Sequence, residues 1–166
     1  MALAPGHRLG QIIGEMLELA VVPPLAAFCS EHDLYLDGKR ARPARSGVKV
    51  TWKDGLGNKH DLDHVIERGG TEEKIGVPAA FIETAWRRYT KHSKAKAQEM
   101  QAAVLPIVAK WSHVKPCAGV ILAGEYTSTS LDQLRSNGFV VLHISYATII
   151  AVFADFGMDV FFDETT

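Results

Sequence analysis

The stretch AAFIETAW, residues 79–86, is an apolar run that carries a single charged residue, Glu83. Its aromatic and branched side chains, following the glycines and proline of 68–78, predict a β-strand. A carboxylate inside such a run is costly to bury unless a metal ion or another cation compensates its charge. The stretch therefore predicts a strand of the central sheet and a functional group placed on it.

A second acidic strand precedes it at residues 61–67, with the sequence DLDHVIE. Side chains alternate between the two faces of a strand, so Asp61, Asp63 and Glu67 share one face and His64 lies on the other. We interpret Asp61 and Glu67 as exposed acids of the strand face and His64 as a packed histidine.

The loop between these two strands is long enough to bring the strand at 79–86 back beside the strand at 61–67. Neighbouring strands lie about 4.8 Å apart, so Asp63 and Glu83 are able to converge on one divalent cation. Carboxylate oxygens favour Mg²⁺ or Mn²⁺ over zinc. The alternative for Asp63 is a surface acid on a half-exposed strand.

The remaining elements predict an α/β fold. Residues 8–31 have helical spacing that Pro23 and Pro24 should kink or split, and a basic loop and a strand at 47–52 follow. The second half of the chain reads as a helix at 91–111, a strand at 117–123, a helix at 130–137, a strand at 139–144 and a helix at 146–157. Both of these strands are nearly all apolar, as expected of strands covered on two faces. The order predicts a central mixed sheet flanked by helices.

Length and composition indicate one globular domain over residues 1–166. The chain is 47% hydrophobic and 22% charged, with a mean hydropathy of +0.02. Cys29 and Cys117 have apolar neighbours, which favours buried thiols in a reducing compartment over a disulfide or a nucleophile. The first residues lack the pattern of a signal peptide, and the apolar runs are shorter than a membrane span. We expect a cytoplasmic protein with no membrane partner.

The charges are segregated along the chain although the net charge is only −1. Residues 39–53 and 86–115 together hold thirteen of the 18 basic residues and one of the 19 acidic residues. Two basic segments on an otherwise acidic body suit a surface that binds a polyanion. The alternative is that both segments are ordinary solvated faces.

On these residues and this element order, the sequence resembles the PD-(D/E)XK nuclease superfamily, to which many restriction endonucleases belong. The resemblance covers most of the chain: a first helix with a carboxylate, the strands 61–67 and 81–85, and the helix and strand that follow. It implies a restriction-endonuclease-like αβββαβ core. It also implies a DNA endonuclease that hydrolyses phosphodiester bonds with metal-activated water, often as a homodimer.

The resemblance assigns the metal ligands by position. Asp63 and Glu83 match the strand carboxylates that bind Mg²⁺ in the family, and Mn²⁺ is the alternative ion. A carboxylate of the first helix often assists there, which implies Glu15 as the first choice and Glu18 as the second.

The sequence departs from the family at Ala85, where the family has a lysine. The resemblance then implies that Lys91 or Lys94 takes that role, near the start of the next helix, where a cation and the helix N-terminus both favour a phosphate. The side chains expected to contact DNA are Arg42, Arg45, Arg87, Arg88, Lys91, Lys96 and Gln98.

Ala85 also leaves a second hypothesis open. A nuclease fold that has lost its active site would serve as a DNA-binding or recognition module. A resolvase or repair nuclease of the same fold is equally compatible with these motifs.

Overall fold

The fold is a mixed α/β domain with a five-stranded sheet flanked by helices, as predicted. A computed structural model describes residues 5–161. Its helices are α1 Pro5–Glu31, α2 Ser93–Lys110, α3 Ser128–Ser136 and α4 Tyr146–Asp155. Its strands are β1 Leu34–Gly38, β2 Val50–Lys53, β3 Lys59–Leu62, β4 His64–Arg68, β5 Val77–Arg87, β6 Cys117–Gly124 and β7 Phe139–Ser145.

The main sheet has the order β1-β4-β5-β6-β7. β1, β4 and β5 are antiparallel neighbours, whereas β5, β6 and β7 run parallel and are connected through α2 and α3. The sheet is therefore mixed, and α1, β1, β4, β5, α2 and β6 together have the order αβββαβ. β2 and β3 form a separate two-stranded hairpin.

Helices cover both faces of the sheet. On one face, α2 packs Ala97, Met100 and Val104 against Phe81 and Ala85 of β5. On the other face, α1 and α4 pack against the sheet, and the α1 contacts there include Leu17, Val21 and Cys29. Glu83 lies between Phe81 and Ala85 on β5, so the alternation of the strand places it on the α2 face.

The first strand of the sheet was not predicted. β1 lies in a segment that we assigned to a loop, and the predicted strand at 47–52 belongs instead to the β2–β3 hairpin. A five-residue strand with an aspartate and a glycine has a weak strand signal. It becomes stable in the sheet because Asp37 is neutralised there by Arg42 and Arg45.

The predicted strand at 61–67 is two strands, interrupted at Asp63. β3 ends at Leu62 in the hairpin, and β4 begins at His64 in the main sheet. The chain therefore leaves one sheet and enters the other at this residue. As a consequence, the backbone N–H of Asp63 is available to a side chain, here the carboxylate of Glu83.

α1 is one helix and is not split at its two prolines. Buried residues before and after the prolines, such as Leu17 and Cys29, pack on the same side of the sheet, which offsets the lost backbone hydrogen bonds. We expected every apolar run to be too short to span a membrane, and this expectation is wrong for one helix. Gly6–Glu31 is long and apolar enough to cross a membrane, by length and composition alone. In the domain, however, this helix lies against the sheet.

Three predictions about which residues are buried differ from the structure. Val140 and Leu142 share one face of β7 and are 65% and 55% exposed, so this strand is not covered on both faces. Cys117 is exposed at the start of β6, whereas Cys29 is buried as predicted. Glu67 is fully buried and not an exposed acid of the strand face, because Arg42 neutralises it.

Candidate functional site

The site is built around two carboxylates, Glu83 on β5 and Asp63 at the break before β4. The β4–β5 register pairs His64 with Ile82, which places Asp63 opposite Glu83. The backbone N–H of Asp63 donates to Glu83 Oε1 at 3.0 Å. Asp63 Oδ2 in turn accepts the backbone N–H and the hydroxyl of Thr84 at 2.7 and 3.0 Å. These reciprocal bonds fix both carboxylates side by side.

Glu83 is buried, with 8% of its surface exposed. Burial is the main cause that raises its pKa, to about 7, and the neighbouring charge of Asp63 raises it further, whereas the charge of Lys96 opposes both. A buried carboxylate beside a second carboxylate is an arrangement that a cation stabilises. Perturbed acids of this kind cluster at functional sites.

A cleft of about 470 Å³ opens over this pair between α1 and α2. From α2 it is lined by Lys96 and Glu99, whose side chains form an ion pair at 2.8 Å. Arg87 lines it at the end of β5. Lys96 is therefore the lysine that the fold brings to the carboxylate pair.

Lys91 and Lys94 do not line this cleft. Lys91 precedes α2, and its ammonium lies over the ring of Tyr89, while Lys94 is exposed on the helix. Residues three and four apart share a helix face, so Lys96 lies near Ser93 and Met100, both buried on the inner side. Lys91 and Lys94, the predicted replacements for the missing strand lysine, therefore lie outside the cleft lining, whereas Lys96 lies in it.

The first-helix carboxylates lie in different places. Glu18 lines the cleft together with Asp63 and Glu83, whereas Glu15 lines only an adjoining cavity. The second choice from the sequence is therefore better placed than the first. Gly10 and Gly14 of α1 face Trp86 at this point, where a Cβ on Gly10 would make ordinary contact with the indole nitrogen at 3.4 Å.

Two of the predicted DNA contacts are internal ion pairs. Arg42 is 2% exposed and pairs with Asp37 at 2.9 Å and Glu67 at 2.8 Å. Arg45 pairs with the other oxygen of Asp37 at 3.0 Å. The prediction that these two arginines contact DNA is wrong, because their guanidinium groups are engaged within the fold.

The remaining predicted contacts lie near the cleft. Arg87 lines it, and Arg88 lies over the ring of Tyr89 just beyond it. Gln98 is exposed on α2. Thr84, which holds Asp63, was not predicted, because only the pairing of β4 with β5 gives it a role.

Across residues 5–161, no group of three or more His, Cys, Asp or Glu side chains is arranged to hold a metal ion. The carboxylates of Asp63 and Glu83 are still suited to a hard cation. Among residues 5–161, no hydrogen bond is donated to Asp63 Oδ1 or Glu83 Oε2, so both oxygens are available as ligands. Mg²⁺ is commonly held by one or two carboxylates, with water and substrate phosphate as its other ligands. The donor set therefore fits Mg²⁺ or Mn²⁺ as a site completed by substrate.

Comparison with known proteins adds little. No protein-family model matches the chain, and no curated protein matches it. A solved structure described as a protein of unknown function, AF1548, aligns with a TM-score of 0.44 and 11% identity. The alignment covers 78% of this chain and 63% of that one.

Proposed function

We propose that this protein is a Mg²⁺-dependent DNA endonuclease of the restriction-endonuclease-like kind. The observation that carries the proposal is the Asp63–Glu83 pair, interlocked across two strands and faced by Lys96 in an open cleft. The αβββαβ order, which the resemblance implied, supports it.

Each side chain has a distinct task in this proposal. A Mg²⁺ or Mn²⁺ ion bound there supplies a Lewis acid for the phosphate and lowers the pKa of a bound water. Asp63, held by Thr84, and Glu83 provide the oxygen ligands. The ammonium of Lys96 stabilises the charge that develops on the phosphate, and Glu99 holds that ammonium in place.

The outer contacts are assigned to the DNA backbone. Arg87 lines the cleft and Arg88 lies just beyond it, and both are proposed to hold phosphates there. Lys91 and Gln98 stay predicted DNA contacts outside the cleft lining. A homodimer remains part of the proposal on the strength of the resemblance, and a cytoplasmic location on the strength of the free cysteines.

A plasmid assay tests the activity. Supercoiled plasmid is expected to be nicked or linearised with Mg²⁺ or Mn²⁺ and to stay intact with EDTA. Because the same plasmid exposes few branched structures, a four-way junction and a flap are included to detect a resolvase or repair nuclease. Salt-sensitive binding to all substrates without any cleavage would contradict the proposal and favour a binding module instead.

The assignment of Lys96 gives a separate prediction. Lys96→Met is expected to lower the cleavage rate about a hundredfold or more at saturating Mg²⁺, because it removes a charge that acts on the transition state. Lys94→Met is the matched control on the same helix and is expected to stay within about twofold of the wild type. Single-turnover cleavage measures both variants, and an equal loss in the two would contradict the assignment.

A further inference from the structure

A second cavity of about 660 Å³ adjoins the cleft of the carboxylate pair. It lies between α1, β1 and the β2–β3 hairpin, and it shares Glu18, Asp61 and Asp63 with the cleft. Its volume lies in the range of pockets that bind small organic groups. Anything bound in it would be a direct neighbour of a phosphate bound at Asp63.

The cavity has apolar walls and an unpartnered polar group. Leu36, Val50 and Leu62 line it from three strands, and Val22 lines it from α1. His64 is 7% exposed, and its Nδ1 is buried without a hydrogen-bond partner among the described residues. A buried polar nitrogen without a partner is uncommon and is costly unless a ligand satisfies it.

Gly38 lies against this imidazole, where a larger residue would crowd it. A Cβ at position 38 would lie 3.3 Å from His64 Nδ1, which is tighter than ordinary contact. Apolar walls and a polar edge group together suit a flat heteroaromatic ring, whose faces are apolar and whose edges carry donors and acceptors.

The cavity is lined by cations on one side and by the carboxylates Glu15, Glu18, Asp61 and Asp63 on the other. Lys39, Arg40 and Lys49 line it on the side of the 39–49 loop. Lys49 pairs with Asp61 at 2.8 Å, and both side chains are about half exposed or more, so this ion pair is weak. The cations of the 39–49 loop are suited to a phosphate of the bound strand, while the apolar walls formed by Leu36, Val50 and Leu62 are suited to its base.

We infer that this cavity receives one unpaired nucleobase of the DNA strand whose phosphate lies at the carboxylate pair. The inference rests on the proposed nuclease function and names its substrate class. A base inside a duplex is stacked and cannot enter a cavity, so the substrate is DNA with an unpaired or extruded nucleotide beside the cleavage site.

Binding to duplexes in EDTA tests the cavity without cleavage. Three duplexes of one sequence are compared by fluorescence anisotropy: one with a single bulged nucleotide, one with an abasic site in that bulge and one fully paired. The wild type is expected to bind the bulged base about tenfold more tightly than the abasic bulge. With Mg²⁺, cleavage is expected beside the bulge.

A cavity-filling variant completes the test. Val22→Trp places a large ring at the wall and is expected to reduce the ratio of the two affinities to about one. Ile12→Trp adds the same ring to an exposed position of α1 outside the cavity and is expected to keep the ratio.

The possible failures are distinguishable. Equal wild-type affinities for the bulged base and the abasic bulge would overturn the inference, and so would a ratio that Val22→Trp leaves unchanged. A retained ratio without cleavage of any substrate would instead support the base cavity and contradict the nuclease proposal.

Discussion

Glu83→Gln is expected to reduce Mg²⁺-dependent cleavage more than about a hundredfold while the protein stays folded. Loss of an outer-shell partner already costs about 10- to 100-fold at metal sites, and here a proposed ligand itself loses its charge. The substitution keeps the side-chain volume and an Oε1 that accepts the N–H of Asp63, so the local structure is conserved. Plasmid cleavage at saturating Mg²⁺ measures the effect.

Glu83→Gln is expected to lose cleavage but to gain stability, and the gain in stability shows that the variant is folded. Burial raises the pKa of Glu83 from 4.5 to about 7, so the folded state favours the protonated acid. The stability that this acid contributes is present below about pH 4.5 and is lost as the pH rises through 7. In EDTA at pH 8, Glu83→Gln is therefore expected to be more stable than the wild type, by up to about 3 kcal/mol.

Mg²⁺ is expected to stabilise the wild type relative to Glu83→Gln. At pH 8 the ion is expected to raise the melting temperature of the wild type and to leave Glu83→Gln unchanged, because binding to the folded state stabilises it. Glu31→Gln, an exposed position at the end of α1, is the matched control and is expected to behave as the wild type. Full cleavage by Glu83→Gln would contradict its role as a ligand.

Arg42→Met is expected to destabilise the domain by about 3–5 kcal/mol. The substitution leaves two buried carboxylates, Asp37 and Glu67, without their shared cation. Burial alone would lower the pKa of Arg42, but hydrogen bonds from its guanidinium to Glu67 and Asp37 outweigh it and hold the pKa above the usual value. Urea denaturation measures the loss.

Two further variants make this result decisive. Arg40→Met removes a neighbouring arginine that is about half exposed and pairs with Glu72, and it is expected to cost less than about 1 kcal/mol. If Arg42→Met does not fold, the triple variant with Asp37→Asn and Glu67→Gln is expected to restore folding, because it also removes the unpaired charges. An unchanged stability of Arg42→Met with weaker DNA binding would instead support the surface role inferred from the sequence.

The basic segment at 39–53 shows why charge runs are difficult to interpret. It contains no acid, so the partners of its arginines lie outside the segment. Their partners are Asp37 on β1 and Glu67 on β4, and only the antiparallel pairing of those strands brings them together. Lys39, Arg40 and Lys49 of the same segment remain at the surface, where they line the second cavity.

Glu83 was predicted from the sequence, whereas the position of Lys96 beside it depends on the tertiary structure. The strand around Glu83, the buried strand β6 and the mixed sheet follow from local apolar patterns, because burial and strand alternation act on neighbouring residues. The choice of lysine depends on which side of α2 faces β5, and the partner of Asp63 depends on the break between two sheets. The sequence alone thus determined the fold class and the two candidate carboxylates. Only the tertiary structure decided which cation faces them and which arginines are buried, because those contacts depend on how β1, β4, β5 and α2 pack against one another.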